Sequence, residues 1–224
     1  MPRRVRHVSA FEGYQRWAPS YDAASNPVVA MDRRHTPAFL APQTGESILD
    51  AGCGTGRSLP AIIDAGARPV GIDFSVEMLK VAQRRLPGAW LAAADLQRPL
   101  PLRSARFDAA LCALVGEHLE DLPFTFAELR RVLRPGGRFV FSVYHPEMAA
   151  AGIEAHFEDR GIEYRLGAVK YTTADYMTLL SDAGFESLTS QDFSGDSDLV
   201  AELPNGARYL GRPLLLVLTG RIAA

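Results

Sequence analysis

The 224 residues match the length of one globular domain, and 47% are hydrophobic while 22% are charged, as in folded water-soluble proteins. The formal net charge of −2 provides no basic field that would attract nucleic acid or an anionic membrane surface. No apolar run approaches the roughly 18–20 residues of a membrane helix, and the arginine-containing start lacks the apolar stretch of a secretory signal.

The two cysteines, Cys53 and Cys112, are too few for a disulfide framework and do not form a CxxC pair. No group of His, Cys, Asp and Glu has the spacing of a metal site, so we predict no bound metal. We expect a cytoplasmic monomer or homodimer that binds neither nucleic acid nor membrane.

Strand-like and helix-like segments alternate along the chain after an irregular N-terminal portion. Short apolar segments predict strands at 47–51, 69–73, 89–94, 106–112, 137–143, 186–193 and 213–219. Helices are predicted at 76–86 behind the capping residue Ser75, from Pro123 to the stop at Pro135-Gly136-Gly137, and at 173–185 with Gly184 as its C-cap. This alternation favours an α/β doubly wound sheet, in which ligands bind beyond the carboxyl ends of the strands.

The segment 48–56, ILDAGCGTG, runs from a strand into three glycines at alternate positions, Gly52, Gly54 and Gly56. Glycine has no Cβ and adopts positive φ easily, so a ligand can approach such a backbone closely. A dinucleotide-binding turn would read GxGxxG, but Arg57 occupies the place of its third glycine. Asp50, just before the loop, suits an ammonium group better than a phosphate. The loop alone also fits an ordinary tight turn.

Acidic residues follow the next two strands. Asp73 ends the second strand about twenty residues beyond Gly52, where a carboxylate in such sheets accepts hydrogen bonds from ribose hydroxyls. Phe74 and Met78 follow it and are candidates for packing on an adenine ring, although ordinary core packing explains them equally. Asp95, after the third strand, is a candidate acceptor for an adenine amino group or else an exposed turn residue.

Four stretches in this order, ILDAGCGTG, GIDFSVEML, AADLQRPLPLRSARFDAALC and ELRRVLRPGGRFVFSV, resemble the class I S-adenosylmethionine-dependent methyltransferases. The chain is most similar to the small-molecule branch that includes the ubiquinone/menaquinone C-methyltransferases and the malonyl carrier-protein O-methyltransferase of biotin synthesis. The ordered motifs cover roughly residues 45–145, and the similarity is looser elsewhere. The resemblance implies a Rossmann-like, seven-stranded sheet with helices on both faces and an antiparallel last strand inserted beside the sixth.

The resemblance also implies S-adenosyl-L-methionine as cofactor, S-adenosyl-L-homocysteine as product, and a small-molecule methyl acceptor. The amino-acid part of the cofactor would lie over Gly52–Gly56, and the segment Cys112–Leu114 would approach its methionine portion. Both cysteines would then be small pocket-wall residues and not nucleophiles, because the cofactor itself brings the leaving group. The implied cofactor-binding residues are Asp50, Gly52, Cys53, Gly54, Gly56, Asp73, Phe74, Met78, Asp95, Leu96, Cys112, Ala113 and Leu114.

Two segments of the single domain, 1–224, are candidates for covering the cofactor. Residues 1–40 contain an aromatic-rich stretch like the lid of many relatives, and Tyr21 is its expected contact. Residues 144–171 form a long connection that is expected to build the acceptor pocket. His118 and His145, at the ends of the fourth and fifth strands, are candidate proton acceptors. Packing of the aromatic residues on the domain edge is the alternative.

The predicted function is an in-line transfer of the methyl group to an oxygen, nitrogen or carbon atom of a small molecule. An NAD(P)-dependent oxidoreductase is the first alternative, which Asp50 and Arg57 disfavour. A relative that binds the cofactor without methylating is the second, because its cofactor motifs would be the same.

Overall fold

The computed structural model describes residues 4–224, which form a seven-stranded sheet and a separate three-stranded sheet. The ten strands are β1 Arg4–His7, β2 Ser47–Ala51, β3 Arg68–Asp73, β4 Trp90–Ala93, β5 Phe107–Ala113, β6 Leu133–Tyr144, β7 His156–Asp159, β8 Ile162–Arg165, β9 Glu186–Ser194 and β10 Pro213–Arg221. The eight helices are α1 Ala10–Trp17, α2 Pro27–Leu40, α3 Leu59–Asp64, α4 Val76–Arg85, α5 Leu122–Val132, α6 Pro146–Ala150, α7 Thr173–Asp182 and α8 Ser197–Glu202.

The large sheet has the strand order β4-β3-β2-β5-β6-β10-β9. The first five strands in this order, from β4 to β6, pair in parallel. Strand β10 lies between β6 and β9 and is antiparallel to both. This confirms the expected seven-stranded sheet with its inserted antiparallel last strand. The chain reverses its direction of winding between β2 and β5, so the ligand crevice of such a sheet is expected beyond the carboxyl ends of these two strands.

The central strands of the large sheet are buried on both faces, and adjacent residues of each strand point to opposite sides. On β6, Phe139 and Phe141 pack with the helices α5 and α7, while Val140 between them packs with α2. The same alternation separates Leu215 from Leu216 on β10. The near-continuous apolar strands of the sequence therefore reflect helices on both faces, as expected.

The predicted helix boundaries are confirmed within a few residues. The Ser75 hydroxyl caps α4 by accepting a hydrogen bond from the Met78 N–H at 3.2 Å. Pro123 lies in the first turn of α5, and Gly184 follows α7 with a φ of +86°. Helix α5 ends earlier than predicted, because β6 already begins at Leu133, which pairs with Phe107 on β5.

Two segments are more ordered than their composition indicates. Residues 27–40 form α2 against the large sheet, where its Met31 is buried, so the N-terminal portion is not irregular throughout. The segment between β9 and β10 forms α8, whose Leu199 is fully buried, and Asp196 accepts two hydrogen bonds from Arg34 of α2. This segment, whose acidic composition alone would indicate a solvated loop, is therefore folded against α2.

The small sheet joins the two segments that were expected to cover the site. Its order is β1-β8-β7, in which β1 from the N-terminal segment pairs in parallel with β8 from the long connection. Helix α1 follows β1 directly, and its Trp17 stacks on Phe157 of β7 with ring centroids 5.0 Å apart. The N-terminal segment and the connection therefore form one packed unit. Within residues 4–224, no helix is both long and apolar enough to cross a membrane.

Candidate functional site

The three glycines of the loop after β2 all have positive φ, of +80°, +52° and +75°, but a side chain would meet different obstacles at each. A Cβ on Gly52 would lie 2.5 Å from a methyl group of Val115, and one on Gly56 would lie 3.0 Å from the Cβ of Ala82 in α4. A Cβ on Gly54 would meet no protein atom within 4 Å. Gly52 and Gly56 therefore permit close packing inside the protein, whereas Gly54 faces open space.

The carboxylate of Asp73 fixes this loop against the end of β3. One carboxylate oxygen accepts a hydrogen bond from the Gly54 N–H at 2.8 Å, and the other accepts one from the Ser75 N–H at 2.8 Å. Burial raises the pKa of Asp73, while the two backbone donors act in the opposite direction. Each oxygen retains acceptor capacity toward the crevice, since a carboxylate oxygen can accept more than one hydrogen bond.

Asp50 is a buried carboxyl group at the floor of the crevice. Its side chain is 2% exposed, and its Oδ2 has no hydrogen-bond partner. Burial raises its pKa from the ordinary 3.8 to about 7, although the positive charge of Arg57 opposes this effect. A buried acceptor without a partner is costly, so this arrangement indicates a ligand that donates hydrogen bonds or carries positive charge.

A hydrogen-bond network centred on Asp32 of α2 holds Arg57 beside the crevice. Its guanidinium donates to Oδ2 of Asp32 at 2.8 Å, and Oδ1 of Asp32 accepts from the hydroxyls of Thr36 and Ser142, each at 2.6 Å. Asp32 is 3% exposed, so the network fixes the arginine in one position. The result is a cation within the same cavity as the Asp50 carboxyl.

A first cavity collects these groups at the carboxyl ends of β2, β3 and β5. The site residues predicted from the sequence that line it are Tyr21, Asp50, Gly52, Cys53, Gly54, Asp73, Phe74, Met78, Asp95, Leu96, Ala113, Leu114 and His118. Gly56 does not line it because it packs against α4, and Cys112 does not because it is fully buried in the core. Burial raises the pKa of both thiols, Cys53 and Cys112, well above the ordinary range, which makes them poor nucleophiles.

A second cavity opens beside the first, and Tyr14, Tyr21 and Leu114 line both. Residues of the connection 144–171 that line it are Tyr144, Met148, Ile153, Glu154, Ala155, His156, Phe157, Glu158 and Glu163. Its other walls come from residues 24–29 and from Arg208, Tyr209 and Arg212 before β10. The two cavities thus meet at a shared boundary of two tyrosines and a leucine.

Helix α1 closes over the boundary through specific polar contacts. The Tyr14 hydroxyl lies 2.9 Å from Nε2 of His118, and Oε1 of Gln15 accepts from the Ser75 hydroxyl and the Glu77 N–H. Burial lowers the pKa of His118 to about 4, so its imidazole is neutral at pH 7 and accepts a proton only weakly. The hydrogen bond between His118 and the Tyr14 hydroxyl instead positions the Tyr14 ring.

His145 lies outside both cavities, contrary to the expectation of a histidine facing the acceptor. Its Nε2 is 3.0 Å from Oδ1 of Asp192 on β9, and its Nδ1 accepts from the Glu147 N–H at 3.2 Å as the N-cap of α6. Both ring nitrogens are thus engaged in structure. The position at the end of β6 is as expected, but β9 covers the side chain. No group of three or more His, Cys, Asp or Glu residues in the described part of the chain is arranged to hold a metal.

Comparison with known proteins identifies the family. Residues 49–141 match the family model described as a methyltransferase domain. The chain is 35% identical over 171 residues to a malonyl-[acyl-carrier protein] O-methyltransferase from Pseudescherichia vulneris, an alignment that covers 74% of this chain and 63% of the relative. It is 31% identical to an uncharacterised methyltransferase from Emericella nidulans, over 82% of this chain and 78% of that protein.

A solved structure agrees with these matches. An S-adenosylmethionine-dependent methyltransferase from Mesorhizobium loti superposes with a TM-score of 0.73 at 26% identity, covering 88% of this chain and all of that one. The chain belongs to the S-adenosylmethionine-dependent methyltransferase family. It spans between about a third and two thirds of the length of the first curated relatives that it matches.

The first cavity of this methyltransferase-family chain fits the family's cofactor on three observations. The open space at Gly54 accommodates a ligand against the backbone. The unpartnered, buried Oδ2 of Asp50 suits the amino group of the methionine portion. The Arg57 guanidinium suits its carboxylate, because guanidinium groups pair with carboxylates.

Several lining residues were missed by sequence reasoning. Thr55, Gln97 and Val115 line the first cavity, and Arg57 entered the sequence argument only as a departure from a dinucleotide motif. Glu117 lines the second cavity but lies in a turn with no motif of its own. The segments 24–29 and 208–212 carry no sequence signal, since only the folding of α2 and α8 brings them to the cavity.

Proposed function

We propose that this chain transfers the methyl group of S-adenosylmethionine to a small molecule bound in the second cavity. The observation that supports this most strongly is the shared boundary of the two cavities at Tyr14, Tyr21 and Leu114. A reactive methyl group at this boundary would be accessible from the acceptor side only. The relatives named as malonyl-[acyl-carrier protein] and demethylmenaquinone methyltransferases support methyl transfer, but their acceptors are not assigned to this chain.

Residues of the first cavity would hold the cofactor by both ends. Asp73 would accept hydrogen bonds from the ribose hydroxyls through the remaining lone pairs of its fixed carboxylate. Asp50 would accept from the ammonium group of the methionine portion. Phe74 and Met78 would contact the adenine ring, and Asp95 would accept from its amino group.

The cofactor, when bound, supplies a methyl group on a positively charged sulfur that leaves with its electron pair. The nucleophile, the methyl carbon and the sulfur must be in line, so the protein contributes mainly by positioning. Preorganisation of this kind accounts for about 7–11 kcal/mol of barrier reduction at best. Tyr14 and Tyr21 at the boundary, and Trp17 beside them in the second cavity, would exclude water around the methyl group, which would protect it and strengthen electrostatic interactions.

The decisive experiment combines binding with product analysis. Asp73→Ala should weaken binding of S-adenosylhomocysteine about ten- to a hundredfold by calorimetry, because charge-assisted hydrogen bonds are lost. The exposed Asp182→Ala, at the end of α7, is the matched control and should bind as the wild type does. Mass spectrometry of metabolite extracts incubated with S-adenosylmethionine should then show a product heavier by one methylene unit.

Thermal unfolding with added ligands, together with the product analysis, distinguishes the alternatives. An oxidoreductase would be stabilised against heat by NAD(P) and not by S-adenosylhomocysteine. A non-methylating relative would bind S-adenosylhomocysteine through Asp73 but give no methylated product. Unchanged affinity in Asp73→Ala would remove this carboxylate from the cofactor site.

A further inference from the structure

Two side chains that line the second cavity each have a buried oxygen atom without a hydrogen-bond partner. Glu117 is 6% exposed, and its Oε2 has no hydrogen-bond partner. Tyr144 is 9% exposed, and its hydroxyl group has no hydrogen-bond partner. Both line the second cavity. Orphaned buried groups are costly to a fold, so their presence in a cavity wall points to a ligand that satisfies them.

The fold brings Glu117 and Tyr144 to the same end of the sheet, at the carboxyl ends of β5 and β6. Glu117 follows β5 in the turn Gly116–His118, and Tyr144 is the last residue of the adjacent parallel strand β6. Gly116 allows this approach, because a Cβ there would lie 2.5 Å from both Phe141 and Val143 of β6. The negative charge of Glu117 also adds to the effect of burial in raising the pKa of Tyr144.

The turn also places Glu117 next to the cofactor side of the boundary. Its neighbour His118 lines the first cavity, while Glu117 lines the second. The other three carboxylates of the second cavity are engaged or exposed. Glu154 accepts from the Gly167 N–H at 2.7 Å, and Glu163 accepts from Arg165 at 2.7 Å. Glu158 is exposed to solvent. Glu117 is therefore the carboxyl group that an acceptor would reach at the boundary.

The surroundings of Glu117 favour an acceptor molecule that is positively charged or donates hydrogen bonds. Aromatic rings of Tyr14, Trp17, Tyr21 and Phe157 line the same cavity, and aromatic faces attract cations. The cationic residues of the lining, Arg208 and Arg212, are exposed to solvent, whereas the carboxyl group is buried. An anionic acceptor would therefore place its charge against the buried carboxyl group of Glu117, whose Oε2 has no hydrogen-bond partner.

We infer that the methyl acceptor is an amine, which enters as an ammonium ion and transfers a proton to Glu117 while Tyr144 hydrogen-bonds the nitrogen. This inference rests on the proposed methyl transfer. Loss of the proton leaves a nitrogen lone pair, which attacks the methyl carbon. The N–C bond forms, the S–C bond breaks with its electron pair remaining on sulfur, and the positive charge passes from sulfur to the methylated nitrogen. The proton on Glu117 returns to water as the product leaves.

The proton transfer has a physical reason in this site. An ammonium ion has no lone pair and would be repelled by the positively charged sulfur, so the nitrogen must be neutral before it attacks. Burial raises the pKa of Glu117 to about 7; a hydrogen bond from its own backbone N–H opposes this effect, and the charge of Asp32 adds to it. A carboxyl group with this pKa can both accept a proton at neutral pH and release it afterwards.

The test uses the two tryptophans of the chain. Trp90 is 78% exposed on the edge strand β4, whereas Trp17 lines the second cavity, so the Trp90→Phe protein reports on this cavity through Trp17 fluorescence. This protein, saturated with S-adenosylhomocysteine, is titrated with phenethylamine and with 3-phenylpropionate, which has a similar shape and the opposite charge. We expect the amine to bind at least tenfold more tightly.

Substitutions then assign the preference to specific groups. Glu117→Gln should weaken phenethylamine binding about tenfold or more, and Tyr144→Phe should weaken it severalfold, while both retain the affinity for S-adenosylhomocysteine. Glu120→Gln, an exposed residue of the same loop, is the matched control and should change neither. If Glu117→Gln does not fold, Tyr144→Phe alone still tests the inference, since it removes only a hydroxyl group.

Two outcomes would overturn the inference. Binding of 3-phenylpropionate equal to that of phenethylamine, or unchanged amine binding in the folded Glu117→Gln and Tyr144→Phe proteins, would contradict an amine site. Failure of S-adenosylhomocysteine to bind the parent protein would instead contradict the proposed function itself.

Discussion

Asp50→Asn should stabilise the ligand-free protein while weakening its binding of S-adenosylhomocysteine. The substitution keeps the shape of the side chain and removes the buried negative charge. Burial raises the pKa of Asp50 in the folded state above that of an exposed carboxyl group. The ionised form is therefore penalised in the folded state, and the penalty grows as the pH rises from the unfolded pKa to the folded one.

The magnitude follows from the difference between the two pKa values. The rise from 3.8 to about 7 corresponds to about 4 kcal/mol at most, at about 1.36 kcal/mol per pH unit. Water in the open cavity reduces this penalty, so we expect Asp50→Asn to add about 2–4 kcal/mol to the free energy of unfolding at pH 8. At pH 4, Asp50 is protonated in the folded state, but with an ordinary pKa of 3.8 it is only about 40% protonated in the unfolded state, so the gain should fall below about 1 kcal/mol.

Binding should change in the opposite direction. A hydrogen bond between a charged pair contributes about 1.5–3 kcal/mol, so Asp50→Asn should weaken S-adenosylhomocysteine binding about ten- to 150-fold at pH 8. In the wild type, the affinity should fall as the pH decreases below about 7, because protonation of Asp50 competes with the ammonium group of the ligand. This dependence should be weaker in Asp50→Asn.

Thermal unfolding and calorimetry at pH 4 and pH 8 measure both effects, with the exposed Asp182→Asn as control. For a chain of this size, the expected gain corresponds to about 5–15 °C in Tm at pH 8. Saturating S-adenosylhomocysteine should reduce or reverse the difference, since the wild type gains more from the ligand. A lower Tm for ligand-free Asp50→Asn, or undiminished binding, would refute a carboxylate reserved for a cationic ligand.

The remaining predictions concern the loop, the cap and the misassigned histidine. Gly54→Val should lower Tm modestly through the strain of a side chain at a φ of +52°, and should lose most of its affinity for S-adenosylhomocysteine. Gly52→Val should lower Tm more, because its Cβ would in addition clash with Val115. Similar binding losses in two equally stable variants would contradict this. Tyr14→Phe removes the hydrogen bond to His118 and should increase hydrogen exchange across α1, which S-adenosylhomocysteine should restore; equal exchange in every state would favour a static helix. His145→Ala should lower the free energy of unfolding by about 1–2 kcal/mol through its lost contacts and leave methyl transfer near the wild-type rate. A rate loss greater than tenfold in the folded variant would indicate a role of His145 in the reaction.

The sequence predicts the parts of this site that depend on local chain geometry. A strand followed by glycines, and an acidic residue at the end of the next strand, predict that Gly54 and Asp73 lie together, and both line the first cavity because parallel strands end at the same edge. The same local pattern does not distinguish Gly54 from Gly56. Whether a glycine faces open space or a helix depends on where α4 packs, which is a tertiary property.

The site residues that sequence reasoning misassigned or missed also depend on tertiary packing. The end-of-strand position of His145 is correct, but nothing near it in the sequence indicates that Asp192 of β9 lies beside its ring. Glu117 belongs to no motif, and its significance arises from burial without a partner, which only the folded structure reveals. Arg208 and Arg212 reach the second cavity through the packing of α8 and the following turn, and the composition of that segment indicates only solvent exposure.

A crystal structure with bound S-adenosylhomocysteine tests the central claim most directly, because the claim assigns each end of the ligand to particular residues. The account predicts ribose hydroxyls on the Asp73 carboxylate, the ammonium group on Asp50, and the sulfur at the boundary formed by Tyr14, Tyr21 and Leu114, facing the second cavity. A ligand bound in the reverse direction, or a sulfur closed off from the second cavity, would contradict it.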